Sequence, residues 1–207
     1  MDTEEKTIPD IIVGRLPLYL RALQSMKNEG RQITSSQELA ERLGISAAQI
    51  RKDLSQFGEF GKQGTGYTIV YLCKEIQKIL KVDRVWDMAI VGAGDIGEAV
   101  ARYQGFTNRG FRVAMVFDND PEKIGQKKGE FIVQDASQMA KKIREAGIRI
   151  AMISVPASNA QEVADELADA GVKAILNYAP VSLNVPPDVR LQYIDPAVHL
   201  QRMTYYL

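Results

Sequence analysis

Apolar residues follow a helical period through the front of the chain and gather into short unbroken runs behind it. Ile11, Ile12, Leu16, Leu20, Leu23 and Met26 mark one face of a helix over 9–28. Pro17 falls inside that span and predicts a kink or a break. Ser35 with Glu38, and Ser46 with Gln49, have capping-box spacing. The first pair opens a short helix through Leu39, Ala40 and Leu43; the second opens another through Ile50 and Leu54 to about Phe57. Gly44 stops the earlier helix and supplies the tight-turn conformation. Two short helices joined in this way have the layout of a helix-turn-helix. Tyr71, Leu72, Ile76, Ile79 and Leu80 mark a further helix from about Val70, and Lys81 to Arg84 reads as a linker. Trp86 at the junction reads as a packing anchor.

Behind the linker the period changes. Met88–Val91, Val113–Phe117, Arg149–Val155, Val172–Asn177 and Val189–Ile194 are runs of strand length. Asp135–Ala146, and a span opening at Ser158 or Asn159 and closing at Gly171, read as helices. Alternating strands and helices predict a parallel, doubly wound α/β sheet. The first run leads into Gly92-Ala93-Gly94-Asp95-Ile96-Gly97, and Ile96, Val100 and Tyr103 continue at helical spacing. Strand, glycine turn and helix in this order form a Rossmann-type fingerprint. The first glycine permits the turn, the second lets backbone approach a pyrophosphate, and the third lets helix pack on strand. Free N–H groups at the helix start attract the phosphates. Asp118 closes the next run 21 positions after Gly97, near the roughly 20-residue offset of a carboxylate that binds ribose. That charge favours NAD(H), because the extra phosphate of NADP(H) would meet a like charge. Ligands of such sheets lie beyond the carboxyl ends of strands, which adds Val155-Pro156 and Asn177-Tyr178 as candidates. The bland readings are a strand stop for the former and a loop with a packed ring for the latter. Asp195-Pro196 then opens a last helix, whose Ala197, Leu200, Met203 and Leu207 form a stripe that needs a surface to cover it. The expected organisation is a DNA-binding domain over 1–84, a dinucleotide domain over 85–194 and a terminal helix over 195–207.

Composition narrows the picture. The chain has 207 residues, 45% of them hydrophobic and 25% charged, with formal net charge +0. Nucleic-acid binding must therefore come from local charge. The second helix of the pair carries Gln49, Arg51, Lys52, Asp53, Ser55 and Gln56 on polar positions, with Ser46 at its cap. Such side chains reach base edges and phosphates in a major groove. The glycines and aromatics from Phe57 to Thr68 predict a β-hairpin, a wing with Lys62 near its tip. A helical bundle used only for protein contacts is the competing reading. A single cysteine, Cys73, excludes an internal disulfide and fits a reducing cytoplasm. No apolar run approaches the ~20 residues that span a bilayer, the polar start does not resemble a secretory signal, and no metal is expected. The one histidine, His199, lies on the terminal helix and is given no role. An NAD-dependent oxidoreductase would need an acid/base partner and a substrate domain, and neither stands out. A CoA-binding domain would suit the glycine turn and Asn177-Tyr178-Ala179-Pro180; Asp118 argues for NAD(H) instead.

Several strings, taken together, resemble the redox-sensing transcriptional repressor Rex family. They are Tyr19-Leu20-Arg21, Gln49-Ile50-Arg51-Lys52-Asp53-Leu54, Phe57-Gly58-Glu59-Phe60-Gly61 and Gly64-Thr65-Gly66-Tyr67-Thr68. The glycine turn, the stretch from Phe117 through Asn119 to Gly125, and Asn177-Tyr178-Ala179-Pro180 complete the set. The resemblance implies a winged helix-turn-helix ahead of the Rossmann-type sheet. It also implies a homodimer that binds palindromic operator DNA with NAD+ or no cofactor and lets go when NADH binds. It places Asn119 at the cofactor, Gly64 and Tyr67 at the DNA, and the terminal helix on the partner subunit. It further implies that Arg21, Tyr103 and Asp195 form a network linking the domains.

Overall fold

A computed structural model describes residues 8–61 and 64–207. The chain divides into two compact units, 1–84 and 85–207.

In the first unit the long helix is broken: α1 spans Asp10–Val13 and α2 spans Leu16–Asn28. Pro17 sits in the first turn of α2, where its missing N–H costs nothing. Strand β1 (Ile33–Thr34) follows, then α3 (Ser36–Leu43) and α4 (Ala47–Leu54). Ser35 and Ser46 cap these helices by accepting the backbone N–H of Glu38 and of Gln49. Gly44 joins them in the left-handed region, at φ +67°. Strand β2 (Tyr67–Thr68) leads into α5 (Ile69–Ile79). Leu16, Tyr19, Leu23, Met26, Leu39, Ile50, Ile69, Leu72 and Ile76 are fully buried and form one core.

The wing departs from expectation. β2 pairs antiparallel with β1, Ile33 opposite Thr68 and Thr34 opposite Tyr67, and Gly58–Gly61 form no strand. Gly61 and Gly66 nevertheless lie side by side: a Cβ on Gly61 would meet the Gly66 carbonyl oxygen at 2.6 Å. Lys62 lies outside the described residues.

The second unit is a seven-stranded sheet in the order β5-β6-β4-β3-β7-β8-β9. Its strands are β3 (Trp86–Val91), β4 (Phe111–Asp118), β5 (Lys127–Lys128), β6 (Phe131–Asp135), β7 (Ile150–Ile153), β8 (Ala174–Asn177) and β9 (Arg190–Tyr193). All pairs are parallel except β5 with β6. Helices α6 (Asp95–Ala101), α7 (Met139–Ala146) and α8 (Ala157–Asp169) follow strands, and α9 (Pro196–Thr204) is terminal. From β3 the chain runs outward to β4 and β6, then returns to build β7, β8 and β9 on the other side. This reversal opens a crevice at the carboxyl ends of β3 and β7.

The helix after the glycine turn is also corrected in part. Gly97 and Ala101 are its buried positions, while Ile96 and Tyr103 are each 47% exposed. Asp195 caps α9 through the Ala197 N–H at 2.9 Å. Leu200 and Met203 remain 61% and 64% exposed, so the predicted stripe is not covered within its own unit.

Candidate functional site

The crevice holds a cleft of about 700 Å³ lined by Gly92, Gly94, Asp95, Ile96, Asp118, Asn119, Val155 and Pro156 among others. Eight of the predicted cofactor residues thus converge there. The three glycines of the turn serve different ends. Gly92 adopts φ +100°, and a Cβ on it would lie 2.5 Å from the Ser154 carbonyl oxygen. A Cβ on Gly97 would lie 1.8 Å from the Gly92 carbonyl oxygen. Gly94, by contrast, has φ −78°, a backbone any residue adopts, and a Cβ there meets nothing within 4 Å. The fold needs Gly92 and Gly97; nothing in the fold itself requires a glycine at Gly94, which lines the cleft.

The remaining predicted residues support the site from behind. Ala93 is buried, and its N–H donates to Asp118 Oδ2 at 2.7 Å. Asn177 is buried and holds the following loop: its amide donates to the Ala179 and Val181 carbonyls and its oxygen accepts the Ala179 N–H. Tyr178 packs against the buried cluster of Met88, Ile90 and Val116, and burial raises its pKa.

Asp118 itself is 7% exposed. Its Oδ1 accepts the Asp120 N–H at 2.9 Å, and Lys123 Nζ lies 3.3 Å from Oδ2. Burial alone would raise its pKa, but the Ala93 and Asp120 N–H groups and the Lys123 ammonium outweigh it and hold the carboxyl below its ordinary value. Each carboxylate oxygen has two acceptor sites, so Oδ1, which accepts only the Asp120 N–H, retains one that can take a hydroxyl donor. The rest of the lining is acidic too: Asp95, Asp120, Glu162 and Glu166 face a single lysine, Lys123. That balance disfavours ligands with a third phosphate, such as CoA or NADP(H). A dinucleotide with only a pyrophosphate fits the donor set.

Sequence reasoning did not single out Lys123, Ser154, Glu162 or Glu166. Ser154 Oγ lies 2.9 Å from the Gly92 carbonyl, to which it donates, tying β7 to the turn. Its position one residue before Val155, at a predicted strand end, was the available signal.

In the first unit a second cleft, of about 890 Å³, lies among Arg31, Ser36, Arg51, Gly64, Thr65 and Tyr67. Arg51 Nη1 donates to Ser36 Oγ at 2.9 Å, bringing α4 and the start of α3 to one surface. Arg51, Lys52 and Ser55 are exposed, and Gln56 is half-buried. Ser55 and Gln56 lie just past the end of α4 and bond to the Lys52 carbonyl. Asp53 is the correction. Its side chain is wholly buried and accepts from Arg15, Tyr19 and Gln49, so it cannot touch DNA. Of the three residues expected to link the domains, Arg21 is exposed on α2. Tyr103 packs edge-on to Phe106 with centroids 5.0 Å apart, and Asp195 is engaged in its cap.

Comparison with known proteins follows these two surfaces. Residues 7–55 match a family described as a putative DNA-binding protein N-terminus, and residues 83–181 match the CoA binding domain family. Over 96% of the chain the sequence is 52% identical to the redox-sensing transcriptional repressor Rex of Chloroflexus aurantiacus, covering 94% of that protein. The chain belongs to the Rex family. A Rex of Brevibacillus brevis is 41% identical over 99% of both chains. Among solved Rex-family structures, RSP in complex with NAD+ and operator DNA superposes with a TM-score of 0.92 at 37% identity, covering 98% of this chain and 93% of that one. RSP in complex with NADH gives 0.88 at 35% identity, covering 98% and 95%. The fold is the winged helix-turn-helix and Rossmann-type α/β architecture of Rex proteins.

Proposed function

We propose that this chain represses transcription by gripping operator DNA with its first unit and releasing it when its second unit binds NADH. The observation that carries this reading is Gly94, a glycine that the fold does not require, open to the cleft of a Rex-family chain. The family relatives captured with NAD+ and operator DNA, and with NADH, support the two ends of the switch. Gly92, Gly94, Asp95 and Ile96 would take the pyrophosphate, and Asp118 with Asn119 the adjoining ribose. Val155 and Pro156 would wall the cleft, while Ala93, Gly97 and Asn177 hold its backbone in place.

A nicotinamide ring supplies the signal, being cationic when oxidised and neutral when reduced. Residues that contact both forms equally cannot switch anything. An apolar or aromatic surface discriminates, because it penalises the cation by desolvation; Tyr103 and Tyr178 are the candidates. The relatives are named repressors, which supports a cytoplasmic sensor that binds NAD(H) without turning it over.

On the DNA side Ser46, Gln49, Arg51, Lys52, Ser55, Gln56, Lys62, Gly64 and Tyr67 form the proposed contact set. A palindromic operator calls for two copies with recognition helices about one DNA turn apart, or a multiple of it. NADH would change that spacing, with Arg21, Tyr103 and Asp195 linking the units. DNA and NADH then oppose each other reciprocally. Titrating NADH into the protein–operator complex should release DNA, and operator should weaken NADH binding by the same factor. Operator occupancy unchanged by NADH would overturn the reading.

A further inference from the structure

Asp53 lies on the recognition helix and is out of reach of DNA. Arg15 Nε and Tyr19 OH donate to its Oδ2 at 2.6 and 2.5 Å, and Arg15 Nη2 and Gln49 Nε2 donate to its Oδ1 at 2.8 and 2.6 Å. These four bonds occupy the acceptor capacity of a carboxylate. Burial alone would raise the pKa of Asp53; the donors from Arg15, Tyr19 and Gln49 outweigh it and hold the pKa below its ordinary value. An ionised carboxylate can only accept. The edge of the Gln49 carboxamide that faces Asp53 must therefore be its NH2 group, which turns its oxygen away. Gln49 is half-buried and is the third residue of α4, at the end of a recognition helix that meets base edges.

We propose that Asp53 is a positioning residue for DNA recognition: it locks the Gln49 carboxamide so that α4 presents Gln49 Oε1, an acceptor, to a base. The proposal rests on reading the first unit as a DNA reader. An unrestrained glutamine pairs bidentately with adenine, accepting from N6 and donating to N7. Asp53 takes one N–H of that NH2 group, and the lock fixes the direction in which Oε1 points. That oxygen selects a base with an amino group in the major groove, cytosine or adenine, and turns away guanine and thymine, which present only acceptors there. Arg15 and Tyr19 take part without touching DNA, by saturating and orienting the carboxylate.

Operator selection with the full chain tests this. Wild type should show one position per half-site occupied by cytosine or adenine. Gln49→Ala should make that position indifferent, with about a tenfold loss on the selected sequence and none on scrambled DNA. Asp53→Asn frees the glutamine to turn, so it should relax the same position and add nothing in a Gln49→Ala background. Should Asp53→Asn fail to fold in thermal melts, Arg15→Met with Asp53→Asn removes both charges and is scored in the same way. Retention of the wild-type preference in Asp53→Asn would overturn the proposal. So would equal weakening of selected and scrambled DNA by Asp53→Asn, the mark of a purely structural role. Failure of the wild-type chain to enrich any sequence is a separate outcome, which overturns the DNA-reading assignment and the proposal with it.

Discussion

Gly92, Gly94 and Gly97 are one residue type under different constraints. Added methyl groups at Gly92 and Gly97 would collide with backbone oxygens at 2.5 and 1.8 Å, while one at Gly94 would meet nothing within 4 Å. Gly97→Ala should therefore lower the thermal midpoint of the second unit. Gly94→Ala should leave melting unchanged and cut NADH affinity at least tenfold or so, since a methyl there would stand where backbone must approach a pyrophosphate. Paired melts and NADH titrations check both; wild-type affinity in Gly94→Ala would remove the pyrophosphate from this turn. The glycine spacing and Asp118 were legible because the fingerprint is local. Asp53 was not. It occupies a polar position in the helical pattern, yet its partners Arg15 and Tyr19 come 38 and 34 residues earlier. A period read along one helix cannot report what another helix brings over its face. Lys123 escaped for a related reason: its partner Asp118 is near in sequence, but their meeting depends on the turn after β4.

Helix α4 spans eight residues, shorter than the ~12–15 at which isolated helices hold themselves. Its Ser46 cap, its buried Ile50 and Leu54, and the Asp53 cluster keep it in place. The cluster has a pH signature. The folded pKa of Asp53 is depressed relative to an unfolded value near ~3.9. Its stabilisation is thus fully present above about pH 4 and disappears as pH falls through the folded value. Asp53→Asn should cost about 3–5 kcal/mol at pH 7, the range for breaking a buried pair, and should lose less further stability on going to pH 3 than wild type does. Urea midpoints of the first unit at both pH values measure this; parallel declines would deny the cluster its role. Caps and the Gly44 turn were readable because their partners lie within one helical turn. The β1–β2 pairing and β6 were not. β6 buries only Val133 and β2 has two residues, so neither makes an apolar run long enough to stand out. The break between α1 and α2 falls at Gly14–Arg15, ahead of Pro17, because proline is at home in a first helical turn.

At the scale of the whole molecule, the parallel sheet with its reversal was legible from alternating runs, and the division of the chain at 84/85 falls at the end of the Lys81–Arg84 stretch read as a linker. What α9 packs against was not, because a stripe says only that a cover is needed. Leu200 and Met203 are exposed within the chain, and a second copy is the proposed cover. Removing residues 196–207 should convert dimer to monomer in sedimentation and cost most of the operator affinity; a persistent dimer would place the interface elsewhere. One detail of the cleft bears on timing. Asp118 fastens the glycine turn through the Ala93 N–H and its own following loop through the Asp120 N–H, so docking forfeits little chain entropy there. Where binding needs little rearrangement, arrival rates vary little and differences in affinity fall on the rate of departure. The longer a reduced dinucleotide stays in the cleft, the later after a burst of reducing metabolism the genes fall silent again.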